Sequence, residues 1–269
     1  MIIDIHTHIF PDHIAKGALA SLKRTDNLEA FCDGTLQGTL ELLNTAGTDI
    51  GVNLPTITNP KQFDSILRFA CHINELSQKE APTKIISFGG MHPDSPHYKE
   101  EMRLLCENQI KGIKIHPDYQ GTFIDDMKYL RILEYANELG LIVITHAGYD
   151  PVSPHCVHAP VHRILNAIRQ IKPQKFILAH MGNMGFPEEV LENLIEEDVY
   201  FDTAMCLHLM QPMQLTEIIK KHGAKRILFG TDLPWSDPRQ YPTLLKELPL
   251  AEEDIQSILW KNAADLLEI

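Results

Sequence analysis

Ile2-Ile3-Asp4-Ile5-His6-Thr7-His8 is an apolar strand that closes on a His-x-His pair. Side chains alternate along a strand, so His6 and His8 share a face and Asp4 lies on that face one layer deeper. The same outline returns four times: Gly112-Ile113-Lys114-Ile115-His116, Leu141-Ile142-Val143-Ile144-Thr145-His146, Phe176-Ile177-Leu178-Ala179-His180 and Ile227-Leu228-Phe229-Gly230-Thr231-Asp232. Strands that end in His or Asp, repeated around a barrel of parallel strands, bring those side chains to the mouth where such barrels do chemistry. Imidazole and carboxylate together suit Zn²⁺ or a similar divalent ion.

Working outward, nearly continuous apolar runs predict strands over 2–6, 49–54, 84–90, 110–116, 141–146, 175–180, 198–203 and 226–231. Helical spacing fills the intervals: 35–46, 60–77, 96–107, 125–139, 160–171, 187–197, 211–222, 239–247 and 252–267. Pro60 and Pro187 stand where helices should start, and Gly140 and Gly223 where they should stop. Eight strands each followed by a helix predict an α/β fold, a single (β/α)8 TIM barrel spanning 1–269 as one domain. An open doubly wound sheet fits less well, because Gly89-Gly90 is not a phosphate-binding glycine turn. The long connections 9–34, with a short helix around 12–22, and 147–160 are expected on the catalytic rim.

A net charge of −12 argues against nucleic acid or an acidic membrane surface as a partner, since either would need a basic face. With 44% hydrophobic residues the chain can fill a core. Its five cysteines are scattered and form no C-x-x-C pair, which predicts reduced thiols and a cytoplasmic protein. The first strand candidate begins at Ile2, so no secretory leader is expected, and no apolar run nears the roughly 20 residues of a membrane span.

His6, His8 and His146, with Asp232, are the candidate metal ligands. Asp232 also suits proton transfer, with helix capping as its plainer role. His180 either binds a second ion or acts as an acid/base. Asp4 either orients a ligand imidazole or serves as a structural acceptor. Lys114 shares a face with His116 and, if buried, needs a reason. It bridges a second ion when carboxylated, holds a substrate carboxylate, or pairs with an acid. His92, His116, His155 and His158 are candidates for lining the pocket, whereas His208 and His222 read as solvated or helix-surface residues.

These residues resemble the amidohydrolase superfamily. Gly112-Ile113-Lys114-Ile115-His116-Pro117, Ala179-His180-Met181-Gly182 and Gly230-Thr231-Asp232-Leu233-Pro234 narrow the resemblance to its amidohydrolase 2 branch. The resemblance implies a distorted barrel with one or two divalent ions. His6, His8, His146 and Asp232 take the ligand positions, His180 the acid/base position, and Lys114 the strand that bridges two ions in some members. Zinc is the default ion, with manganese, iron and cobalt fitting the same ligands. The leading expectation is hydrolysis of an amide, ester or lactone of a small, anionic substrate through a metal-activated water. A metal-dependent non-oxidative decarboxylase on the same site is the alternative, the chain being shorter than decarboxylases of that branch. A catalytically inactive metal-binding barrel is the third reading. Many such barrels form homodimers, and the sequence fixes no interface.

Overall fold

The computed structural model describes residues 1–26, 29–77 and 82–269. Among the described residues there are nine short strands, separated by helices except between the third and fourth: β1 (Ile3–Thr7), β2 (Ile50–Asn53), β3 (Lys84–Ser87), β4 (Gly89–Gly90), β5 (Gly112–Ile115), β6 (Ile142–Thr145), β7 (Phe176–Leu178), β8 (Tyr200–Asp202) and β9 (Ile227–Leu228). The run 84–90, expected as one strand, divides at Phe88 into β3 and β4. Chain contacts group the residues into two compact units, one of Met1–Leu54, His72–Ser87 and Asp202–Ile269, the other of Pro55–Cys71 and Phe88–Phe201.

In the first unit β1, β2 and β3 pair in parallel, with Ile3 opposite Ile50 and Ile50 opposite Lys84. On the other side of β1, Ile5 N donates to Phe229 O at 2.9 Å, just past β9, and β9 in turn accepts at Leu228 O from Thr203 N at 3.1 Å. Ile3, Ile5, Val52, Leu54, Ile227, Leu228 and Phe229 are fully buried. Helix α1 (Asp12–Asp26) is longer than expected, and the connection holding it passes through Asn27 and Leu28, outside the described residues. Helix α2 (Leu36–Thr45) starts where the Thr35 side chain accepts from Gly38 N. Leu43 of this helix lies against Gly51 of β2, where a Cβ would meet Leu43 Cδ1 at 2.8 Å and force that side chain to shift. The terminal segment, expected as one helix, contains a wide π turn at Ser257–Lys261. Beyond it, Asn262 Nδ2 donates to Ala224 O at 2.8 Å and Ile227 O at 2.7 Å, tying the segment to the start of β9.

In the second unit β4, β5, β6, β7 and β8 lie side by side, all parallel, with Gly89 opposite Ile113, Ile113 opposite Val143, Val143 opposite Phe176 and Ile177 opposite Tyr200. The helix Met127–Leu139 is capped by Asp126, whose side chain accepts from Lys128 N, and ends at left-handed Gly140 with φ 68°. Tyr129, Ile132, Leu133 and Ala136 form its buried stripe, as Val161, Ile164, Leu165 and Ile168 do on Val161–Ile171. Parallel strands buried on both faces are mostly apolar, and Lys114, within β5, is a buried exception. Among the described residues no helix is long and apolar enough to cross a membrane.

Candidate active site

β1 places its polar residues as the alternation requires, and the rest of the first unit then orients them. His6 Nδ1 lies 2.8 Å from Asp202 Oδ2, with side-chain exposures of 1% and 0%. His8 Nδ1 lies 2.9 Å from Leu54 O, a carbonyl that only accepts. Each ring therefore carries its hydrogen on Nδ1 and its lone pair on Nε2. Both Nε2 atoms face Asp232 Oδ1, at 3.4 Å from His6 and 3.0 Å from His8. The donor atoms of His6, His8 and Asp232 all lie within 4.8 Å of one another. Two imidazole lone pairs and a carboxylate at that spacing fit a Zn²⁺ or Mn²⁺ ion.

Asp232 reaches this place through an unusual backbone, with φ 71° in the left-handed region and its N–H donating to His6 O at 2.9 Å. Gly230 makes the approach possible, since a Cβ there would meet His6 Cβ at 3.0 Å and Asp202 Cβ at 3.5 Å. Asp4 does not orient a ring. Its carboxylate accepts from Thr231 Oγ1 at 2.6 Å, Thr231 N at 3.0 Å and His6 N at 3.1 Å, fastening β1 to the turn before Asp232. Burial pushes the Asp4 carboxyl up to about 7, against the pull of those three donors. The acid on the imidazole is Asp202, which sequence reasoning passed over although Tyr200-Phe201-Asp202 is itself a strand closing on an acid.

The second unit gathers a different set. His116 Nε2 is 3.5 Å from Asp150 Oδ2 and His146 Nε2 is 3.9 Å from it. The rings of His116 and His146 stack at 4.4 Å and 11°. His116 opens the short helix Pro117–Gln120, and its Nδ1 accepts from Tyr119 N at 3.4 Å, so its hydrogen lies on Nε2. His146 Nε2 is 3.3 Å from Tyr149 O and donates to it, leaving Nδ1 to accept from His180 Nε2 at 3.1 Å. His116, His146 and Asp150 also stand within metal-ligand spacing. In this arrangement both nitrogens facing Asp150 carry hydrogens rather than lone pairs. His146 is bonded at both nitrogens, to Tyr149 O and to His180 Nε2. His180 has φ 58°, and the next residue, Met181, φ 53°.

The remaining candidates separate. Lys114 is buried in β5, 1% exposed. His92 is buried and its Nδ1 accepts from Asp94 N at 3.1 Å; burial lowers its affinity for a proton, with Asp94 opposing. It closes a turn in this way. His155 is exposed on its loop. His158 bonds Asp118 rather than facing the His116 group, its Nδ1 lying 2.9 Å from Asp118 Oδ1. His222, read from sequence as a surface residue, is buried at the end of its helix, and His208 Nδ1 lies 2.8 Å from Tyr241 Oη. Asp150 and Asp118 were also missed; the only sequence signal for Asp150 is its place four residues after His146.

A family model described as amidohydrolase matches residues 3–269. No curated protein matches the chain in sequence. Among solved structures, an uncharacterized TIM-barrel protein from Bordetella bronchiseptica superposes with a TM-score of 0.79 at 17% identity, over 99% of this chain and 98% of that one. A 2,6-dihydroxybenzoate decarboxylase from Rhizobium gives 0.73 at 17% identity, over 99% and 98%. A dihydroxybenzoic acid decarboxylase from Polaromonas sp. JS666, with bound manganese and the inhibitor 2-nitroresorcinol, gives 0.74 at 16% identity, over 99% and 96%. The fold is thus α/β with parallel strands, of the TIM-barrel amidohydrolase-like kind. Coverage of this extent removes chain length as an argument against a decarboxylase.

Proposed function

The chain belongs to the amidohydrolase family, and from that premise we propose that it is a metal-dependent lyase that removes the carboxyl group of a small aromatic or enoic acid as CO₂. The observation that carries the metal dependence is the convergence of His6 Nε2 and His8 Nε2 on Asp232 Oδ1. Lyase chemistry, rather than the hydrolysis expected from sequence, is supported by the shared fold with the Rhizobium and Polaromonas decarboxylases.

His6, His8 and Asp232 would hold the ion, which would supply Lewis-acid stabilisation of negative charge on the substrate. Asp202 keeps the His6 hydrogen on Nδ1, so Nε2 stays a donor of its lone pair. In decarboxylation the C–C bond breaks, CO₂ leaves, and the electron pair left on carbon takes a proton. His180 is the proton donor in this reading, and its Nε2–H···Nδ1 contact with His146 positions its ring. Lys114 and His116 hold the substrate's anionic part.

The test is to load the purified protein with Mn²⁺ or Zn²⁺, supply hydroxybenzoic acids including 2,6-dihydroxybenzoate, and measure CO₂. Metal-dependent release that disappears in His6→Ala is the expected result. Cleavage of amides, esters or lactones without any CO₂ would replace this reading by hydrolysis, the reaction after which the family is named. Neither activity at full metal content would leave a metal-binding barrel without turnover.

A further inference from the structure

Outside the groups described above, the loop before the helix Val161–Ile171 brings a thiol, an imidazole and a carboxylate into line. Cys156 is exposed, and its Sγ lies 3.8 Å from His158 Nε2. His158 Nδ1 lies 2.9 Å from Asp118 Oδ1, and the same oxygen accepts from His158 N at 3.1 Å. We propose that Cys156, His158 and Asp118 form a nucleophile–base–acid relay that makes Cys156 a covalent attachment site for electron-poor alkenes conjugated to a carbonyl.

Three features of the geometry carry this. The carboxylate only accepts, so the His158 hydrogen lies on Nδ1 and the lone pair on Nε2 points toward the thiol. Asp118 is buried, its side chain 0% exposed, and among the described residues its Oδ2 has no hydrogen-bond partner. A buried carboxylate left half-satisfied favours a cation beside it, and His158 becomes that cation when it takes the thiol proton. Burial pushes the Asp118 carboxyl up, and its bonds to His158 pull in the opposite direction.

The relay is also held in place. Ile124 N donates to His158 O at 3.0 Å, and the Phe123 ring lies 5.0 Å from the His158 ring. Arg163 stacks over Phe123 at 3.8 Å and pairs with Asp125 at 2.7 Å. Cys156 N donates to Ser153 O at 3.1 Å, and Ser153 Oγ donates to Cys156 O at 2.7 Å. Cys156 therefore sits in a closed turn and is exposed.

The step balances within the loop and the alkene. The S–H bond breaks, its proton passes to His158 Nε2, and sulfur forms a bond to the β-carbon. The alkene π pair moves to the α-carbon, which takes the proton back from His158. No oxidant and no leaving group are required.

N-ethylmaleimide on the full chain tests this, with attachment at Cys156 read by peptide mass spectrometry and N-acetylcysteine as the free-thiol reference. At pH 7 Cys156 is expected to react about tenfold or more faster than the reference, and His158→Gln to remove that advantage. Asp118→Asn, which keeps an accepting oxygen beside His158, is expected to fall between the two. It also stands in should the His158 variant not fold. A wild-type Cys156 no faster than N-acetylcysteine, or a rate unchanged in both variants, would overturn the proposal.

Discussion

His6 Nδ1 and Asp202 Oδ2 meet at 2.8 Å although 196 residues separate them in the chain, and neither side chain is open to solvent. This contact decides which nitrogen of His6 has a lone pair to offer. Partners that fix a ligand's tautomer and aim are typically worth a factor of about 10 to 100 in metal affinity. Asp202→Ala should therefore weaken metal binding by that factor while His6 remains present. Competition against a fluorescent chelator measures it, and an affinity equal to wild type would remove Asp202 from the ligand set's support.

Asp232 and the Asp150 group are assigned different tasks, and metal content separates them. Asp232→Asn should lose the ion and turnover together. Asp150→Asn should keep its full metal content and lose no more in kcat than the roughly 10²- to 10⁴-fold that proton transfer from His180 contributes. Elemental analysis beside steady-state kinetics checks both, and loss of metal from Asp150→Asn would return His116, His146 and Asp150 to the role of an ion site.

The left-handed backbone at Asp232, φ 71°, costs a residue with a Cβ about 1–2 kcal/mol that glycine does not incur. Comparing Asp232→Gly with Asp232→Ala cancels the lost carboxylate, so the glycine variant should be the more stable by about that amount. Denaturant unfolding of the two metal-free variants reads the difference directly. Equal stability would mean that the backbone relaxes once the carboxylate is removed.

Asp118 predicts a pH trend. Its carboxyl is held above the ordinary 3.8, chiefly by burial, so the folded chain binds this proton more tightly than the unfolded chain. Stability from this group is present in full below 3.8 and is lost as pH rises through the folded value. Asp118→Asn has no such group, so its stability relative to wild type should increase with pH from about pH 4 upward. Thermal melts of the pair across that range check the sign, and parallel curves would show that Asp118 does not titrate differently in the fold.

The reach of the sequence is clear from individual elements. The alternation in Ile3-Asp4-Ile5-His6 predicted a buried β1 with its histidines on one face, and the apolar runs predicted the other strands to within a few residues. Run 84–90 was read as one strand because composition does not mark the interruption at Phe88. Asp4 and Asp202 show a different gap. Asp4 shares the ligand face in sequence, yet it bonds Thr231, while Asp202 from a distant strand takes the imidazole.

The sequence by itself determined the order of strands and helices, the supply of imidazole and carboxylate at strand ends, and the family, because these rest on local periodicity and on short motifs. Tertiary structure alone decided which acid meets which ring, which nitrogen of each histidine carries the hydrogen, and that His158 joins Asp118 and Cys156. Those outcomes depend on register between strands and on loop closure over tens to hundreds of residues. A hydrogen bond is settled within a few tenths of an ångström, a distance that the pattern of residues along one strand does not encode.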